Sequence, residues 1–177
     1  GYGRIGRAVA RRARGFDMAV LAWSPGAERR IAGDGLADFA PLEDLIRRAD
    51  FVSIHAPLNE ASHHLIGAPE LAAMKPSAYL VNTARGPIVD EEALVEALAA
   101  NRIAGAALDA YEHVPRMAPA LPELDNVVLL PHLGSPTART RYVIPPLAAS
   151  NALALPALPP SPPCLCAAVH AAPSRTA

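Results

Sequence analysis

The sequence predicts an α/β protein built on a doubly wound parallel sheet. Three observations point there: short apolar runs alternate with helical patterns along residues 1–141, the runs are too short for helices and mostly β-branched or aliphatic, and a glycine-rich hexapeptide opens the first helix. Such alternation implies parallel strands with helices on both faces of the sheet.

In chain order, Gly1-Tyr2-Gly3-Arg4-Ile5-Gly6 fits G-x-G-x-x-G and leads into a helix over residues 4–14. In that pattern the first glycine allows a tight turn and the second lets backbone approach a pyrophosphate. The third lets the helix pack on its strand, with phosphates at the helix N-terminus. A strand follows over residues 18–23, then a helix over 42–48, a strand over 51–55, a helix over 69–74 and a strand over 79–82. The helix over 90–100 is well marked: Asp90 suits the N-cap, Glu91 and Glu92 suit the positive helix start, and Ala93, Leu94, Ala97 and Leu98 form an apolar stripe. Strands over 103–108 and 127–130 complete this part. The strand that ordinarily precedes the glycine motif is missing, since the sequence opens at Gly1 without a methionine and reads as a truncation. In the usual Rossmann-like order that strand is central, so its two neighbours are expected to lack ladder partners.

Composition bounds the rest. The 177 residues are 51% hydrophobic and 19% charged, as in a globular domain. Sixteen basic and seventeen acidic residues leave a net charge of −1 without blocks of one sign, which disfavours nucleic acid and anionic lipid as partners. No apolar run reaches the roughly 18 residues of a membrane span, and a cytoplasmic protein is expected. Residues 142–177 differ: Arg175 is their one charged residue, and they hold eight of the 19 prolines. A short helix interrupted by Pro145 and Pro146 is expected there, then irregular chain with a polyproline-like stretch over 156–163. Residues 1–141 are thus an incomplete dinucleotide-binding domain and 142–177 a tail. Cys164 and Cys166 lie in that tail without the partners of a metal site, and no metal site is expected elsewhere: His63, His64 and His113 have no ligand partners at convincing spacing and read as exposed.

Three segments place a polar residue where a strand gives way to a loop, which in an open α/β sheet is where ligands bind. They are Tyr79-Leu80-Val81-Asn82-Thr83-Ala84-Arg85-Gly86, Gly105-Ala106-Ala107-Leu108-Asp109 and Leu130-Pro131-His132-Leu133-Gly134-Ser135. With the glycine motif, and with Asn82-Thr83-Ala84-Arg85-Gly86-Pro87-Ile88-Val89-Asp90 in particular, the chain resembles the NAD(P)-binding domain of the D-2-hydroxyacid dehydrogenases over residues 1–141. That family includes the glyoxylate/hydroxypyruvate reductases.

The resemblance implies hydride transfer between NADP or NAD and a small 2-oxo or 2-hydroxy acid, in a parent enzyme that pairs as a homodimer. Arg85 matches the arginine that grips the substrate carboxylate and carbonyl oxygen, and His132 the acid that protonates that oxygen. Gly1, Gly3, Arg4, Ile5 and Gly6 match the pyrophosphate loop, and Ser24 the position that selects the ribose. Ala56, Thr83, Ala84, Asp109 and Gly134, with Arg85 and His132, match the rest of the cofactor site. Ser24 stands where an acidic residue would bind a ribose 2′-hydroxyl, so a 2′-phosphate near Arg29 or Arg30 is permitted; both arginines could equally lie on a solvated helix face. His55 reads as structural.

The chain departs from the family at Val114. A glutamate five residues after the aspartate of the Leu-Asp pair ordinarily bonds the histidine, fixes its tautomer and raises its pKa; here Val114 precedes Pro115, and Glu112 is a weak substitute. The substrate domain has no recognisable counterpart either. Two alternatives therefore stay open. One is a non-catalytic dinucleotide-binding module, corepressor-like or a pseudoenzyme; the other is a formate or phosphite dehydrogenase-like enzyme on the same scaffold.

Overall fold

The computed structural model describes residues 1–134 together with 142, 145, 146 and 148–150. The chain forms two compact units, Gly1–His132 and Leu133–Ala177. The described residues between 142 and 150 are helical, Pro145 and Pro146 included, which suits the fixed φ of proline. The polyproline-like stretch and both cysteines lie outside the described residues.

The first unit is built on a four-stranded sheet. Its strands are β3 (Phe51–Ile54), β4 (Tyr79–Asn82), β5 (Gly105–Leu108) and β6 (Val127–Leu129), all parallel and in that order. Ile54 pairs with Asn82, Asn82 with Leu108 and Leu108 with Leu129, so all four strands end at the same edge. Helices α3 (Leu42–Arg48), α4 (Ala68–Ala73) and α5 (Glu91–Ala99) bury Ile46, Leu71, Leu94 and Leu98 in one cluster with Val52, Leu80, Ala106 and Leu108. Helix α5 starts as its sequence dictates, with the Asp90 side chain accepting the Ala93 amide at 3.0 Å. The opposite face of the sheet departs from the expectation of helices on both sides. Among the described residues Phe51, Tyr79 and Val128 stay largely exposed there, and the two rings stack at 5.5 Å, covering each other where no helix does.

A second sheet has two strands of two residues each, β1 (Leu21–Ala22) and β2 (Asp38–Phe39), in parallel. The strand expected over residues 18–23 shrinks to this pair because a strand extends only as far as its partner offers ladder bonds. Its small core is Tyr2, Ala10, Ala22, Ala27 and Ile31, contributed partly by α1 (Arg4–Arg14) and α2 (Glu28–Gly33). Helix α2 and β2 escape periodicity because each is so short; Ile31 is the one buried residue of α2. Among the described strands no ladder joins the two sheets. A cleft of about 470 Å³ lies between β1 and β3, lined by residues 18–23 and 48–56.

The sheets therefore differ in what holds them, eighteen buried residues in one cluster against five in the other. Local stability follows buried apolar contact. Native-state hydrogen exchange is expected to show Leu80 and Ala106 amides among the slowest and those of β1 and β2 exchanging at least ~100-fold faster; equal protection would contradict this division.

Candidate active site at the carboxyl edge of the sheet

Each strand of the larger sheet delivers a residue singled out in the sequence to one row of loops. His55 and Ala56 follow β3, Thr83 to Arg85 follow β4, Asp109 follows β5, and His132 stands three residues past β6. The glycine motif packs against the start of this row. A Cβ on Gly1 would lie 2.4 Å from the carbonyl carbon of His55, and one on Gly6 would lie 2.3 Å from the Gly1 oxygen, so neither position accepts a side chain. A Cβ on Gly3 would meet nothing within 4 Å. Gly3 is also the N-cap of α1, no side chain caps that end, and the first turn holds no acidic residue. The helix thus opens its amide groups and positive dipole end towards free space flanked by exposed Arg4 and Ile5.

Helix α1 is held at its angle by Asp34. That carboxylate accepts the Tyr2 hydroxyl at 2.8 and 2.9 Å, the Arg7 Nε at 2.9 Å and the Leu36 amide at 3.0 Å. Its desolvation is outweighed by these bonds, and its pKa lies below the usual carboxylate value. Beyond β1, Ser24 is half-buried, and Arg29 and Arg30 are exposed on α2.

The loops after β4, β5 and β6 are tied to one another. Asn82, buried, accepts the Ala84 amide at its Oδ1 and donates its Nδ2 to the Arg85 carbonyl, both at 3.0 Å. Its backbone carbonyl accepts the Asp109 amide at 2.9 Å. The Tyr111 hydroxyl donates to the Leu130 carbonyl at 2.7 Å, joining the loop after β5 to the loop that carries His132. Gly86 lets the loops close up, since a Cβ there would stand 1.9 Å from the carbonyl of Tyr111. On this frame Arg85 is exposed, with one guanidinium nitrogen donating to the Ala84 carbonyl at 2.7 Å. His132 is exposed too and adopts a φ of +57°, a left-handed conformation uncommon for residues other than glycine. Thr83 is exposed, Ala84 half-buried and Asp109 buried; Gly134, exposed, belongs to the second unit.

A family model described as the NAD binding domain of D-isomer specific 2-hydroxyacid dehydrogenase matches residues 1–134. The chain belongs to this family. It is 47% identical over 154 residues to a glyoxylate reductase of Thermococcus gammatolerans, covering 87% of this chain and 46% of that protein. Among solved structures, an NADPH-dependent glyoxylate/hydroxypyruvate reductase of Sinorhizobium meliloti in complex with NADP and malonate superposes with a TM-score of 0.79. Identity there is 35%, over 87% of this chain and 47% of that one. A D-isomer specific 2-hydroxyacid dehydrogenase of Lactobacillus delbrueckii, complexed with NAD, gives 0.78 at 30% identity over 91% and 53%. The chain thus spans about half the length of the relatives it matches.

Two features qualify this dehydrogenase domain. Among the described residues no carboxylate pairs with His132, and Val114 is exposed. Glu112 is committed elsewhere: its Oε1 lies 2.7 Å from His64 Nε2 and its Oε2 accepts the Glu91 amide at 3.1 Å. Burial pushes its carboxyl up, but the bonds from His64 and Glu91 outweigh burial and hold it below its usual range. His64 is exposed, as expected, and its partner Glu112 lies 48 positions away in the sequence. Burial pushes the His55 imidazole down, and its Nε2 meets Ser53 Oγ at 3.0 Å, in keeping with a structural role.

Asn82 and Tyr111 were not singled out as site residues by the sequence. The one signal for Asn82 is its phase: it shares the inward face of β4 with Leu80, where a polar side chain must find partners. Gly86→Ala is expected to cost about 3 kcal/mol or more by overpacking against Tyr111, and Asn82→Ala about 2 kcal/mol by stranding buried polar groups. Urea denaturation measures both; losses under ~0.5 kcal/mol would contradict the packing.

Proposed function

We propose that the domain binds NADP or NAD along this edge and serves hydride transfer to a small 2-oxo acid, with glyoxylate and hydroxypyruvate as first candidates from the relatives' names. The observation that carries this reading is the single row in which the β4, β5 and β6 loops place Arg85, Asp109 and His132, beginning at the uncapped end of α1. The residues present fit a dinucleotide: Gly3 leaves open space before free helix amides, and no acidic group in the first turn opposes a pyrophosphate. Gly1, Arg4, Ile5 and Gly6 would hold the pyrophosphate, Ser24 the ribose, and Ala56, Thr83, Ala84 and Asp109 the nicotinamide side. When bound, the nicotinamide supplies the hydride.

The chain's own residues do the remainder. Arg85 is exposed, planar and permanently charged, suited to grip a carboxylate and the adjacent carbonyl oxygen together. His132 gives its proton to that oxygen and takes it back in the oxidative direction. On this reading the whole protein is a cytoplasmic homodimer with neither nucleic acid nor membrane as partner. The balanced charge of this chain speaks against nucleic acid as a partner, and no helix among the described residues is long and apolar enough to cross a membrane.

A second reading, a dinucleotide-binding module without turnover, is favoured by Val114 and by the engagement of Glu112 with His64. Two measurements separate the readings. Calorimetric titration of the full chain is expected to show NADPH bound at least as tightly as NADH; a clear NADH preference would contradict the role given to Ser24. For catalysis, His132 is the proton donor, and a carboxylate bonded to its ring would fix its tautomer and orientation. Val114→Glu is therefore expected to raise the reduction rate of glyoxylate or hydroxypyruvate ~10-fold or more. NADPH binding with no turnover in either form would support the module.

A further inference from the structure

We infer that His63, His64 and Glu112 form a binding site for a divalent late first-row transition metal ion, Zn²⁺ being the probe, at a place outside the dinucleotide row. One donor atom from each residue, a ring nitrogen from each histidine and a carboxylate oxygen from Glu112, lies within 4.8 Å of the others. Two imidazoles and a carboxylate are the donors that borderline ions of this class take, and such sites ordinarily carry water at a remaining position. Tetrahedral ligands about 2.0–2.1 Å from zinc stand roughly 3.3 Å apart. His64 Nε2 and Glu112 Oε1, now 2.7 Å apart, need open only a little, and His63 is exposed and its ring has no hydrogen-bond partner among the described residues.

The donors come from two segments, His63 and His64 from one and Glu112 from the other, each fixed by its own backbone. Asn59 and Ser62 cap each other's amides at 2.9 and 3.1 Å and set the turn that presents His63. The His64 amide donates to the Pro87 carbonyl at 2.8 Å, and the residue is held at a φ of +49°. The His63 and His64 rings face the same side, their centroids 4.1 Å apart. Glu112 is clamped by a reciprocal pair: its Oε2 accepts the Glu91 amide at 3.1 Å, and its own amide donates to Glu91 Oε2 at 2.8 Å. Asp90 stands by as an outer partner, with Oδ2 4.0 Å from His64 Nδ1 while Oδ1 caps α5. The bound ion would pin the turn around residue 63 to the segment that carries Val114.

The test uses the full chain with Cys164→Ser and Cys166→Ser, which removes thiolates outside the site. Zn²⁺ is titrated in competition with a chromophoric chelator, in this protein and in its His63→Ala and Glu112→Gln variants. One saturable micromolar site is expected, weakened at least tenfold by either substitution. Co²⁺ in place of Zn²⁺ is expected to give a visible d–d band that His63→Ala abolishes. His63 is exposed, so that variant keeps its fold and decides the matter if Glu112→Gln does not. No saturable binding, or affinity unchanged in His63→Ala, would overturn the site and leave His64 and Glu112 as an ion pair only.

Discussion

The buried amide of Asn82 holds two loop groups at once and, with its own backbone carbonyl, draws the start of the next loop alongside. The loops after β4 and β5 hang on that closure. Arg85 and Asp109 stand on either side of it, and Tyr111 passes the constraint to the loop of His132 through the Leu130 carbonyl. A buried polar side chain with its partners in place contributes specificity more than net energy, because the alternatives to its conformation leave polar groups stranded. The row is held by the chain's own bonds, and a frame held in that way lowers the ordering cost of binding.

Around the glycine motif the same economy is achieved by absence. Gly1 and Gly6 carry no side chain because backbone occupies the space, and Gly3 carries none where space is left open. Asp34 then orients the helix through Tyr2 and Arg7. The smaller sheet that carries this apparatus has few buried residues and a cleft on its inner side. The glycine-motif end of the row is therefore the less firmly supported half.

Much of the fold was legible in the sequence. Helices over 4–14 and 42–48 and the strand over 79–82 fall where the pattern placed them, because each pairs strong periodicity or an apolar run with clear ends. The strand over 18–23 contracted because its length depends on a partner ladder, and β2 and α2 are too short to carry a period. The exposed Phe51 and Tyr79 are a matter of tertiary cover, which an apolar run does not report. At the site, the residue types and their order were legible through the family motifs, and their shared edge follows from strand register. The Asn82 clasp, the Tyr111 tie and the His64–Glu112 contact were not, since each joins groups whose proximity arises only once the loops are packed. The contact spans 48 positions, and its neighbour His63 joins it through a turn.

The loops of this edge and the glycine motif are expected to respond to one ligand as a single site. In an assigned ¹⁵N–¹H spectrum of the full chain, followed during addition of NADPH, Gly3 to Gly6, Thr83 to Arg85, Asp109 and His132 are expected to shift together along one saturation curve. Shifts confined to the start of α1, with the loops after β4 to β6 unmoved, would contradict it.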